Sequence, residues 1–205
     1  MPRRVRSCLA SRPSLRVRTL AYGGVAIRAF VNIILKGKAV VNIFYLDKSP
    51  VLAAQMQVNK HVVKMILESA QLLCTSHHMC TKHNLPEKFY KKTHYNHPSA
   101  IWARESVDNY KWLCEHAMAL CEEYTYRYGK THASRSVIQW CCDNIPDLPD
   151  VGPTPVRPAM PDEYIEDDAV SSYRNYYFYD KGKNIKCEWK VRSAPSWWNT
   201  KLMQT

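Results

Sequence analysis

Glu68 is the carboxylate whose company most suggests chemistry. Lys60, His61 and Lys64 precede it, and the spacing puts Lys60, Lys64, Glu68 and Gln71 on one helical face with His61 at its edge. A carboxylate set among cations can serve as a general acid or base beside a platform that holds phosphates. The same spacing also suits a solvated helix face crossed by i,i+4 ion pairs. A second cluster, Cys74, His77, His78, Cys80 and His83, has the ligand types of a zinc site, with His94 and His97 further on. Its spacing matches no finger or ribbon, and all its ligands would come from one short segment, so a polar loop leaving a helix is the simpler reading. Asn96-His97-Pro98-Ser99 places an imidazole at the start of a helix, where it can meet an anion or a backbone N–H. Tyr173, Tyr176, Tyr177, Phe178 and Tyr179 read as core. Trp197-Trp198, in a polar C-terminal tail, would suit stacking on unpaired or flipped bases if exposed.

The elements that position these groups are predicted to be helices. Ser49-Pro50 is a start signal, with Ser as N-cap and Pro at the first helical position. Val58, Val62, Met65, Ile66, Ser69, Leu72 and Leu73 form an apolar stripe of helical period, followed by a polar loop from Cys74 to Tyr95. A long helix is predicted from about Ser99 to Tyr128, with Trp102, Tyr110, Leu113, Ala117, Leu120, Cys121 and Tyr124 inward and Gly129 as its C-cap. A shorter helix follows over Ala133–Cys142. Six of the chain's 12 prolines lie between Ile145 and Pro161, so that stretch is predicted to be an extended connector. The last helix is predicted from Asp168 to Asp180, stopping at Gly182. Only residues 42–46 hint at a strand. The expected fold is a compact all-α bundle of one domain, residues 41–205, with a proline-rich connector and an aromatic tail.

Charge separates this body from what precedes it. Residues 1–40 hold nine Lys/Arg and no acid, leaving 20 basic against 18 acidic groups in residues 41–205. The net charge of +11 therefore belongs largely to the leader and does not by itself argue that the body binds nucleic acid. An Arg-rich, acid-free leader also describes a transit peptide or a basic nucleic-acid arm. The preferred expectation is that residues 1–40 are a non-native leader from a mis-called start, or disordered. Codons for Lys36-Gly37 can spell a bacterial ribosome-binding site just before a GTG start at Val40 or Val41. No apolar run reaches the ~18 residues of a membrane-spanning helix. The eight cysteines include adjacent Cys141-Cys142 and helix-spaced Cys114 and Cys121, a pattern that suits buried thiols in a reducing cytoplasm better than a disulfide framework.

Taken in order, these motifs resemble the phage-type pyrimidine-dimer DNA glycosylases of the endonuclease V kind. Lys60-His61-Val62-Val63-Lys64 leading to Glu68 is similar to that family's first-helix His followed by its catalytic Glu. His97-Pro98 opening a helix that contains Trp102 resembles its His-initiated second helix. Ile145-Pro146-Asp147 and Met160-Pro161-Asp162-Glu163-Tyr164 resemble its connector, and Arg192-Ser193-Ala194-Pro195-Ser196-Trp197-Trp198 its C-terminal segment. The resemblance implies a glycosylase with AP-lyase activity that uses the chain's own α-amine as nucleophile, at Val41 or Asn42, assisted by Glu68. It implies no metal or cofactor, damaged double-stranded DNA as partner, a monomer, and the cytoplasm of a bacterial host cell with a phage origin. Lys60, His61, Lys64, His97, Arg104, Trp197 and Trp198 become expected DNA contacts. Leu67 and Gln71 stand where the family has arginines near its Glu, and Ile43 replaces its basic residue near the N-terminus, so a different damaged base is open. The rival expectations are a non-catalytic nucleic-acid-binding protein on the same scaffold and an interaction module holding zinc on Cys74, His77, Cys80 and His83.

Overall fold

A computed structural model describes residues 41–81 and 85–203. These belong to one compact unit, Val40–Thr205, while the leader of residues 1–40 lies outside the described residues. The described residues are helical and connecting segments, with no β-strand among them. The all-α expectation therefore holds, and residues 42–46 form an irregular extended segment in place of a strand.

The first helix, α1 (Pro50–Gln55), starts where Ser49 caps it, its hydroxyl accepting from the Leu52 N–H. It buries Ala53 and Ala54 and packs chiefly on α4 (Val107–Tyr128). Between them in sequence come α2 (Asn59–Cys80) and α3 (Pro98–Ala103), and beyond them α5 (Arg135–Asp143). The whole apolar stripe of α2 is buried, against α3, α4 and α5. Burying each of its large aliphatic side chains is worth roughly 1.5–3 kcal/mol, which is what holds the layer together.

Two boundaries around α2 to α4 differ from expectation, because side chains there find partners within the fold. The first seven residues of the polar loop predicted over Cys74–Tyr95 are instead the last two turns of α2, because its polar residues find partners inside the fold. Thr75 donates to the Thr93 carbonyl, Ser76 to the Leu72 carbonyl, and the His77 ring meets the Tyr110 hydroxyl. The single helix predicted over Ser99–Tyr128 is broken into α3 and α4 at Arg104–Ser106. Ser106 takes an extended conformation and caps α4 by accepting from the Asn109 N–H at 3.1 Å, while Glu105 turns away to Thr154 and Arg157. Gly129 closes α4 with φ of +64°, as expected of a left-handed C-cap.

The proline connector is strapped to this break. Asn109 bonds Thr154 through both ends of its amide, and the Trp102 indole donates to the Thr154 carbonyl. After a 3-10 turn at Asp162–Tyr164 comes α6 (Ala169–Tyr176), capped by Asp168. It runs on through a π-helical turn (Tyr177–Lys181) and a last turn (Gly182–Asn184), so Gly182 does not end it. A Cβ at Gly182 would come within 2.9 Å of the Trp198 ring, so the glycine admits a close approach. The C-terminal segment is itself ordered and ends in α7 (Ser196–Leu202), which seats Trp198 in the core.

Candidate functional site

The segment ahead of α1 delivers its backbone to Glu68. The Asn42 N–H donates to Glu68 Oε2 at 3.0 Å, and Lys64 Nζ lies 3.0 Å from the other carboxylate oxygen. Asn42 is held in place by its own side chain: Nδ2 donates to the Ala159 carbonyl at 2.9 Å, and Oδ1 accepts from the Phe44 N–H at 2.9 Å. The proline connector thus fixes the residue that meets the carboxylate. Glu68 is 7% exposed and Asn42 2%, with Val41 and Ile43 also buried. Glu68 therefore leaves the solvated face on which the helical pattern places it, since the 41–47 segment lies across that side of α2.

Phe44 shapes the segment. Its φ of +46° is left-handed, a conformation that costs a non-glycine residue about 1–3 kcal/mol and persists only where packing demands it. The ring stacks on His61 at 4.5 Å between centroids and meets the edge of Tyr177 at 5.0 Å. The Tyr177 hydroxyl accepts from the Val58 N–H and shares a hydrogen bond with His61 Nδ1 at 2.8 Å. Burial, and then the positive charges of Lys181 and Lys64, push the His61 pKa down to about 3. The segment is clamped further along by Arg174, which donates to the Leu46 carbonyl and pairs with Asp47, and by the Trp112 indole on the Lys48 carbonyl.

The fold brings together Asn42, Glu68, Lys64 and, behind Phe44, His61. Other expected site residues lie elsewhere in the fold. Lys60 is exposed on α2 and acts electrostatically on Cys187 in the C-terminal segment. His97 caps α3 by accepting from the Ser99 N–H, and burial lowers its pKa to about 4, so it is a neutral cap and no standing cation. The Arg104 guanidinium is bound to the Ala100 and Tyr95 carbonyls, which pin the turn before α3. Trp198 is buried against Phe178 and Trp189, and Trp197 is half-buried with its indole N–H on the Met56 sulfur. The expected exposed stacking pair is therefore a packing pair: the tail folds back as a helix.

The zinc grouping is likewise taken apart. Thr81, His77 and Tyr110 form a chain of hydrogen bonds ending on the Cys141 carbonyl, which occupies both ring nitrogens of His77. Cys74 is fully buried in the core, and His78 bonds the Tyr90 carbonyl. His83 lies outside the described residues, and among those described no three His, Cys, Asp or Glu side chains converge as a metal site would require.

Phe44, Tyr177, Lys181 and the Ala159 carbonyl join the site without any sequence signal of their own. Tyr177, Lys181 and the Ala159 carbonyl reach it across a long stretch of chain, and the left-handed conformation of Phe44 is not readable from spacing. Chemically, the site is a carboxylate that can take a proton from, or stabilise a cation beside, the nitrogen of residue 42. Within a peptide bond that nitrogen is an amide and not a nucleophile; as a chain-terminal amine it would be one. Compared with known protein families, curated proteins and solved structures, the chain finds no match in any of the three.

Proposed function

We propose that the protein is a DNA glycosylase with AP-lyase activity whose nucleophile is the α-amine of a chain beginning at residue 41 or 42. The observation that supports this reading is the 3.0 Å contact between the Asn42 nitrogen and Glu68. An α-amine titrates near ~7.7–8, so a useful fraction is neutral at cellular pH, unlike a lysine. It attacks C1′ of the damaged nucleotide, and the base leaves with the glycosidic electron pair and takes up a proton. Opening of the sugar ring yields an imine, and loss of a C2′ proton expels the 3′ phosphate by β-elimination. Glu68 stabilises the cation that develops at the sugar and carries protons between these steps, with Lys64 paired to its other oxygen at 3.0 Å. The reading needs no metal or cofactor, and a damaged pyrimidine in double-stranded DNA is the substrate we favour. Unstacking such a nucleotide costs a few kcal/mol, least at a lesion.

A second reading has its own support: Glu68 satisfies a buried N–H and an ammonium, as a purely structural carboxylate would. On that reading the scaffold binds nucleic acid without cutting it. The test is borohydride trapping on abasic and ultraviolet-irradiated DNA, with protein begun at residue 41 or 42 beside the full chain. A covalent adduct with the short forms alone, lost in Glu68→Gln, supports the enzyme. DNA binding with no adduct from any form overturns it in favour of the binder.

A further inference from the structure

Lys88, Lys91 and Lys92 are exposed in the segment that leads into α3, where Glu87 is the one acid between Leu85 and Asn96. Among the described residues none of the three has a carboxylate within ion-pair distance, whereas Arg135, Arg157, Arg174 and Arg192 each meet an acid. Tyr95 follows, 45% exposed, with the Lys92 ammonium 5.3 Å from the centre of its ring.

The segment is fastened along α2. His78 donates to the Tyr90 carbonyl at 2.9 Å, and the Tyr90 hydroxyl shares a 2.8 Å hydrogen bond with Ser134. Thr93 is tied to Thr75 by two hydrogen bonds, at 3.0 and 3.2 Å. From Tyr90 to Thr93 the chain therefore runs back along α2 by about one turn, towards Glu68. His94 then takes a left-handed conformation with φ of +49°, its ring on the Thr93 hydroxyl, and Arg104 holds the Tyr95 carbonyl at 2.6 Å. Thr75 and Glu68 are seven residues apart, so they share a face of α2 and lie about 10 Å apart along its axis. Each strand of duplex DNA carries a phosphate every ~3.4 Å of axis, so 10 Å corresponds to about three nucleotides.

Taking the identity of the partner from the glycosylase reading, we propose that residues 88–95 form a DNA contact surface beside the Glu68 site. Lys88, Lys91 and Lys92 meet phosphates of the strand, and Tyr95 stacks on a base left unpaired at the lesion. Ammonium groups with no carboxylate of their own can replace the counterions of phosphates, and an exposed aromatic face accepts any base. The anchored backbone presents both kinds of group from one short segment.

The test follows binding of the full chain to duplex DNA, intact or with one abasic site, by fluorescence anisotropy over a range of salt. In this form the residue 42 nitrogen is an amide, and the leader's basic residues are common to every variant. Lys91→Gln/Lys92→Gln should make the dependence of log Kd on log salt shallower by about 2, because each phosphate contact contributes ~0.9. Lys130→Gln/Lys183→Gln, at lysines exposed elsewhere in the fold, should leave it unchanged. Tyr95→Ala should weaken binding to the abasic duplex by about 5-fold or more while sparing the intact one, and Tyr95→Phe should bind as wild type. If the wild type binds but its salt dependence survives the Lys91 and Lys92 changes, or falls equally in the control pair, the surface is overturned and the glycosylase reading stands. No DNA binding by the wild-type chain overturns both. Equal affinity of Tyr95→Ala and wild type for the abasic duplex overturns the stacking role.

Discussion

Asn42 and Glu68 show how much can hang on one hydrogen bond. If the carboxylate takes part in chemistry, Glu68→Gln in protein begun at residue 42 should cut imine trapping by about 100-fold or more while changing DNA affinity only a few-fold. Equal losses in both would point to a collapsed segment. Tyr177 offers a test of the packing behind the site. Its hydroxyl serves both the Val58 N–H and His61. Tyr177→Phe strands a buried donor and frees the imidazole, so urea unfolding should show a loss of about 1–3 kcal/mol. A loss within error would mean that neither bond contributes to stability.

The helices are defined by local caps and long-range partners together. Ser106 and Gly182 represent the two influences. Ser106→Ala removes the cap of α4 and should cost about 0.5–2 kcal/mol, read from the shift in unfolding midpoint. Gly182 is sharper, because the sign itself is diagnostic. At an open helix position Gly→Ala stabilises by up to about 1 kcal/mol. Here the new methyl meets the Trp198 ring at 2.9 Å, so destabilisation of about 1–3 kcal/mol is expected, and a gain in Tm would show that Trp198 does not sit on this helix. The C-terminal segment has a further anchor in Glu123, buried on α4, which accepts from Arg127 and from Arg192.

At the scale of the molecule, several imidazoles among the described residues carry depressed pKa values: His61 to about 3, and His77, His97 and His116 to about 4, in each case chiefly through burial. In an unfolded chain each would titrate near ~6.5. Between about pH 6.5 and 4 the unfolded state therefore binds more protons than the folded one, and stability must fall as pH falls. Each suppressed imidazole contributes up to about 1.4 kcal/mol per pH unit inside that window. Denaturant midpoints taken from pH 7 to pH 4.5 should decline steadily. A flat profile would mean that these histidines take up protons in the folded protein.

Helical periodicity, cap residues and proline density were enough to define the class of fold, the stripe of α2, the starts at Ser49 and Asp168 and the extended connector, because each depends on residues close in the chain. The pairing of Glu68 with a nitrogen near residue 42 was also an expectation, though it rested on a resemblance and not on periodicity. What only the tertiary structure decided were the properties that depend on partners far away in sequence. Whether Glu68 faces water, whether Thr75-Ser76-His77 continues a helix, and whether Trp197-Trp198 lies free or packed each depend on what covers that surface. The 41–47 segment, α4 with the loop leading to α3, and the π-helical turn with α7 supply those covers. Buried polar groups keep helical geometry only when such distant partners replace water, and spacing along the chain carries no record of them.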